Sequence, residues 1–197
     1  MRRALLVLLA LTAACTTTSV PQGTPTPQAG GPPVVFVTIG GDETFGADLP
    51  HDDRFRLAWP QLVYRALPAR ATFTNLGTQG ATTTSALATQ LPIARSLHPT
   101  IVVVWLTGDA AAGIAPPTSA ANLLALLQPL RSAGVDKLVV VVGPNRASIA
   151  SYDDATRTAA QQAGAFLVDL TTLPTPLGES GHRAAADAIS AAIGPVH

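Results

Sequence analysis

The chain has 197 residues, with twelve Lys and Arg against twelve Asp and Glu, 12% charged residues and 47% hydrophobic ones. That length holds one ordinary domain, and the charged share is half of the usual roughly 25%. The lack of a Lys/Arg excess excludes a phosphate-neutralising nucleic-acid binder. The abundance of Val, Leu and Ala excludes a chain disordered throughout, and a single cysteine excludes an internal disulfide, while four scattered histidines argue against a Cys/His zinc site.

Met1-Arg2-Arg3 is a short basic start, and Ala4 to Ala14 is an apolar run of eleven residues. A membrane-spanning helix needs about 20 apolar residues, so residues 1–14 read as a signal peptide. Leu11-Thr12-Ala13-Ala14-Cys15 resembles the lipobox of bacterial lipoproteins, with Thr12 where that family usually has leucine. The resemblance implies that Cys15 becomes the lipidated first residue of an exported, membrane-anchored lipoprotein on the cell surface. The alternative is an ordinary secretory peptide cleaved near Ala14, which leaves a free thiol on a secreted protein. Residues 16–33 are rich in Thr, Pro, Gly and Gln with no core-forming pattern, so 15–33 reads as a lipid-anchored tether. The globular domain is expected at 34–197.

Val34 to Ile39 opens that domain as a continuous β-branched run. Phe55–Leu67 has a helical pattern, Thr72 to Asn75 reads as a short strand, and Thr83–Leu97 is helical with a kink expected at Pro92. Ile101 to Leu106 is a second continuous strand. Ser119–Ala133 repeats Leu123, Leu124, Leu127 and Leu130 at helical spacing. Leu138 to Val142 is a strand, Tyr152–Ala163 a helix with Ser151 as its expected N-cap, Phe166 to Leu170 a strand, and Gly181–Ile193 the last helix. Apolar runs without polar alternation suit strands buried on both faces. The alternation therefore predicts a three-layer αβα domain around a five-stranded parallel sheet, most simply the flavodoxin-like order 2-1-3-4-5. A monomer is expected.

Ligands of such sheets bind beyond the carboxyl ends of the strands, near the switch point. The turns expected there are Gly40 to Gly46, Gly77 to Gly80, Thr107-Gly108-Asp109 and Gly143-Pro144-Asn145. Glycines mark turns anywhere. Asp42, Glu43 and Asp109 at adjacent strand ends in a charge-poor chain are a stronger sign of a functional edge.

These segments resemble the SGNH (GDSL) hydrolases, flavodoxin-like esterases, lipases and acyl hydrolases. Asn75-Leu76-Gly77-Thr78-Gln79-Gly80 matches the block whose glycine N–H serves the oxyanion hole, which implies that role for Gly80. Ile39 to Gly46 matches the block that presents the nucleophilic serine, but Asp42 or Glu43 takes the serine position. Trp105 to Asp109 matches the block that supplies an asparagine to the oxyanion hole, with Asp109 or Gly108 in its place. Gly181-His182 matches the start of the last helix. Counting back from Gly181 puts the family's histidine at Pro176 and its acid at Leu173.

Serine hydrolysis needs an oxygen nucleophile, a base within hydrogen-bond reach and donors aimed at the oxyanion. An ionised aspartate in the hole accepts only and would repel the oxyanion. The expectation is a catalytically impaired esterase-like domain that binds an acylated or glycan ligand of the envelope and uses no cofactor. One alternative is an ester or acyl hydrolase with rearranged residues, Asp42 or Glu43 activating water and His182 assisting as a replacement base. A second is a carboxylate site for Mg²⁺ or Ca²⁺ formed by Asp42, Glu43 and Asp109.

Overall fold

The computed structural model describes residues 31–144 and 150–196. The expected signal peptide, Cys15, nearly all of the tether and Asn145 lie outside the described residues. Five strands form one parallel sheet: β1 (Val34–Gly40), β2 (Ala71–Asn75), β3 (Ile101–Trp105), β4 (Lys137–Val142) and β5 (Phe166–Asp169). Their order is β2-β1-β3-β4-β5, the arrangement the strand and helix alternation predicts. The switch point falls between β1 and β3, whose last paired residues are Gly40 and Trp105.

The sheet is buried because both faces are covered, and the pleat sends alternate residues to opposite sides. Ile101, Val103 and Trp105 of β3 pack into one core layer with Phe36, Trp59, Ile189 and Ile193. Val102 and Val104 pack into the other with Ile39, Leu126, Leu127 and Leu130. Helices α3 (Trp59–Ala66) and α8 (Gly178–Ile193) cover the first face, while α6 (Pro116–Ser132) and α7 (Ala150–Gln162) cover the second. Strand β5 departs from the expectation of burial on both faces. It is the sheet edge, and Phe166 and Leu167 remain 46% and 42% exposed.

Three local features differ from the sequence reading. The helix expected at Phe55–Leu67 is two helices, α2 (His51–Leu57) and α3, because Ala58 is extended and Pro60 sits in the first turn of α3. This is where proline fits a helix best. The stretch Thr83–Leu97 contains a short α4 (Thr83–Ser85), a wide π turn over Ala86–Gln90, and α5 (Leu91–Ser96). Gln90 and Leu91 keep helical angles, so the helix runs on through the π turn, and Pro92 sits directly after it. Ser151 lies inside α7, which already begins at Ala150, so it is not the N-cap.

The turn after β1 is held from several sides. Gly40 donates its N–H to Gln90 Oε1 at 2.9 Å, and Gln90 Nε2 donates back to the Gly40 carbonyl at 3.1 Å. The π turn thus gives the end of β1 a side-chain amide in place of a neighbouring strand. A Cβ at Gly40 would overlap the Thr44 hydroxyl and sit 2.6 Å from the Trp105 carbonyl oxygen. Gly40→Ala is accordingly expected to cost about 2–4 kcal/mol of stability, read as a lower midpoint in urea unfolding. An unchanged midpoint would show that the turn can yield.

Candidate functional site

The four loops at the carboxyl end of the sheet meet as the sequence suggests, and their frame comes from buried and partly buried polar side chains. Asn75 Oδ1 accepts from the Thr38 hydroxyl at 2.8 Å and from Gly77 N–H at 2.9 Å, while its Nδ2 donates to the Thr44 carbonyl at 3.0 Å. One amide thus ties β1, the end of β2 and α1 (Asp42–Phe45) together. Thr44 is buried and directs its hydroxyl toward the Trp105 carbonyl at 3.4 Å, a structural position rather than a nucleophilic one.

A cleft of about 230 Å³ opens at this edge. Asp42, Glu43 and Asp48 give it three carboxylates, and Ala47, Pro144, Pro176 and Leu177 give it an apolar wall. Thr175 adds a hydroxyl. Pro176, where counting places the family's histidine, thus does reach the cleft, and it brings neither acid nor base.

The state of the expected oxyanion donor is specific. Gly80 N–H donates to Asp42 Oδ1 at 2.7 Å across 38 positions of sequence. Gly80 has φ +71°, and no atom lies within 4 Å of where a Cβ would be, so that side of the residue is open. A carboxylate thus already accepts from the N–H to which the resemblance assigns the oxyanion-hole role. Glu43 is turned differently: its Oε2 accepts from the Thr107 hydroxyl at 2.7 Å, linking the ends of β1 and β3.

Asp109 does not join this group. It is buried, and its Oδ1 and Oδ2 accept from Thr83 N–H and the Thr83 hydroxyl, each at 2.7 Å. It thereby satisfies a donor at the start of α4 and lines a separate small cavity with Ser119 and Asp153. Burial pushes the Asp153 carboxyl above its ordinary value, against the opposing pull of Arg157. The oxyanion-hole role expected at Asp109 is therefore replaced by a structural one. The carboxylate metal site fails for the same reason: Asp109 points to Thr83, and among the described residues no group of three acidic, histidine or cysteine side chains is placed to hold a metal ion.

His182 is likewise not brought to Asp42 and Glu43. Its ring is fully buried, and both nitrogens have partners. Nδ1 accepts from Trp59 N–H at 3.3 Å, which requires it to be unprotonated, so the hydrogen lies on Nε2 and is donated to Asp48 Oδ1 at 2.9 Å. His182, the expected assisting base, is thus a core residue joining α8 to the start of α3.

Asp48 is the site residue the sequence reading misses. It lies in a loop before Pro50, 134 positions from its imidazole partner, and only the scarcity of charges could have drawn attention to it. Its Oδ2 accepts from Gly178 N–H at 2.7 Å. Burial raises its carboxyl pKa, but the hydrogen bonds from His182 and Gly178 outweigh that and hold it below the ordinary carboxylate value. Asp48 is thus a fixed, ionised acceptor on the cleft wall.

The family model of the GDSL-like lipase/acylhydrolase family matches residues 38–193. Similar solved structures include an α/β hydrolase enzyme from the metagenome of Lake Arreo, at 19% identity and TM-score 0.68, covering 81% of this chain and 94% of that one. A psychrotrophic esterase from Pseudoalteromonas sp., solved with monoethylphosphonate as inhibitor, matches at 17% identity and TM-score 0.65, over 81% and 96%. A lipase/acylhydrolase from Enterococcus faecalis matches at 18% identity and TM-score 0.65, over 81% and 95%. At these identities the structures show the shared fold. Among curated proteins, none matches the chain.

The Asp48 contacts have a pH signature. A depressed carboxyl pKa contributes stability above the ordinary carboxylate range, and that contribution disappears as pH falls through the depressed value. Asp48→Asn is expected to lower unfolding stability at pH 7 by about 1–3 kcal/mol, since the amide cannot accept both N–H groups. The gap to the parent chain should close in acid. A gap that stays constant with pH would mean that the Asp48 charge contributes nothing.

Proposed function

Because the chain belongs to the GDSL-like lipase/acylhydrolase family, we propose that it is an esterase-fold domain that binds an acylated or glycan ligand of the cell envelope without efficient turnover. The observation that carries this reading is the bond from Gly80 N–H to Asp42 Oδ1 at 2.7 Å. An acyl oxygen entering that position would meet a carboxylate instead of a donor, and two anions cannot share one N–H without loss of transition-state stabilisation. No serine stands on the turn. An aspartate attacking an ester would form an anhydride, which then needs its own activated water.

Among the described lining residues there is no histidine to act as general base. Pro176 stands where the family's histidine is expected, and His182 is buried between Asp48 and Trp59. Removal of triad members can leave about 10³–10⁴-fold acceleration over water when the hole survives. Here the hole is self-occupied, which supports activity below that residue. Cys15 with the Thr/Pro-rich tether supports a lipoprotein held at the outer face of a membrane.

Short-chain nitrophenyl esters offered to the full chain test this directly. Hydrolysis is expected at the rate of an inert protein control, and Asp42→Ala should leave it there. Turnover well above control that Asp42→Ala or Glu43→Gln abolishes would instead support a hydrolase with rearranged residues. Retention of label after growth on radiolabelled palmitate, lost in Cys15→Ala, tests the anchor. Absence of label in the parent chain would assign it to the secreted class.

A further inference from the structure

The described charges of the chain are sorted between the two ends of the sheet. All five strands run parallel, so one end carries every strand start and the other every strand end. Asp42, Glu43, Asp48, Asp109, Asp153 and Asp169 lie toward the carboxyl end, on a strand end, in a following loop or in a first helical turn. The amino end carries Arg70 before β2, Arg95 in the last turn of α5, Arg131 in the last turn of α6 and Lys137 at the start of β4. Asp136 is the one described acid beside them. We propose that this amino end is a docking surface for a bilayer with anionic phospholipid headgroups. The inference rests on the reading of Cys15 as a lipid anchor and adds which end of the domain meets the membrane.

No carboxylate neutralises the four cations. Among the described residues the ion pairs belong to Arg56, Arg157, Arg183 and His182, and none to Arg70, Arg95, Arg131 or Lys137. Helix dipoles account for part of the sorting, because the helices between parallel strands end at the amino end, where a cation is favoured. Arg131 serves in this way and donates to the Val135 and Gly164 carbonyls. Arg70 and Lys137 belong to strand starts, and no helix dipole explains them.

The same end is apolar between its charges. Phe166 and Leu167 at the start of β5 are largely exposed, and Lys137 Nζ lies 5.4 Å from the centre of the Phe166 ring. Pro32, Pro33, Pro195 and Val196 are grouped with Lys137 on this surface. An aromatic ring beside an ammonium suits a headgroup boundary, where the ring enters the apolar layer and the charge stays with the phosphates.

Pro32 also marks where the tether enters, and its carbonyl accepts from Arg70 Nε at 3.0 Å. Sixteen positions separate Cys15 from Gly31, a reach of at most about 55 Å, against a domain about 40 Å across. A tether of that reach holds the domain near the bilayer without orienting it. The charges orient it: anionic headgroups attract the amino end and repel the carboxylates of the cleft end. The cleft is thereby turned away from the bilayer, toward ligands that arrive from outside it.

The test uses the full chain, purified in detergent and reconstituted on vesicles of phosphatidylcholine alone or of an equal mixture with phosphatidylglycerol. Lys137 is the only lysine of the chain, so a membrane-impermeant amine reagent reads this end, by mass spectrometry of its peptide. A carbodiimide label on Glu179, in the first turn of α8, reads the opposite end. On the anionic vesicles Lys137 labelling is expected to slow about fivefold or more, with Glu179 unchanged. High salt should restore it, because salt screens exposed charges. Arg95→Gln, at an exposed position, should weaken the docking about fivefold, the effect of one cation near an anionic surface.

Equal Lys137 labelling on the two kinds of vesicle overturns the inference, and so does protection of Glu179 in place of Lys137. Flotation with phosphatidylcholine vesicles reports the anchor separately. A chain that fails to float there contradicts the lipoprotein reading alone. Flotation with the anionic vesicles together with Lys137 protection then still supports the amino-end surface, and flotation with neither overturns it.

Discussion

Gly80 N–H and the Asp42 carboxylate, 2.7 Å apart, connect the turn after β2 with the turn after β1. In a serine hydrolase the corresponding space must be empty, so that an oxyanion can form against the N–H groups as charge develops. Here the charge is present in the ground state and belongs to the protein. Preorganised donors stabilise a transition state only when their field is unspent beforehand. Much of what the cleft can do follows from that one bond: one donor is lost, and an anion is installed.

The scaffold around this bond is built to hold it. Asn75 ties three segments behind the turn, and Gln90 supplies an amide to both backbone groups of Gly40. Asp109 anchors Thr83 at the start of α4. Asp48, His182 and Trp59 N–H form a second chain of contacts, from the cleft wall into the core between α8 and α3. Gln90, Asp109 and His182 are buried, and each has partners of opposite hydrogen-bonding character. Buried polar networks stabilise a fold only under that condition. Two of the four carboxylates near the strand ends, Asp109 and Asp48, therefore act as structural acceptors.

The central strands were legible because β3, and β4 after Lys137, are uninterrupted runs of Ile, Val, Leu and Trp, and such runs bury both faces. The block from Asn75 to Gly80 was legible because its glycines have geometric duties: a Cβ at Gly77 would lie 2.8 Å from backbone atoms of Thr44 and Phe45. The place of Pro176 on the cleft followed from counting back from Gly181. The partners of the carboxylates were not legible. Asp42 meets a residue 38 positions away, and Asp48 meets one 134 positions away. Composition and spacing cannot tell which of several nearby acids turns toward which donor. His182 looked like a free base for the same reason, since burial between two partners is a tertiary property. The break between α2 and α3 at Ala58 was missed because the apolar pattern runs through it, and the proline that marks it sits in a helix first turn.

The central claim is that the Asp42 carboxylate occupies the Gly80 donor. The most direct measurement is the Gly80 amide proton chemical shift in the parent chain and in Asp42→Ala. A hydrogen bond to a carboxylate moves an amide proton downfield. The account expects Gly80 to be markedly downfield in the parent and to move upfield in Asp42→Ala, with the amides of β4 unchanged. A Gly80 amide that has the same shift in both chains would contradict it.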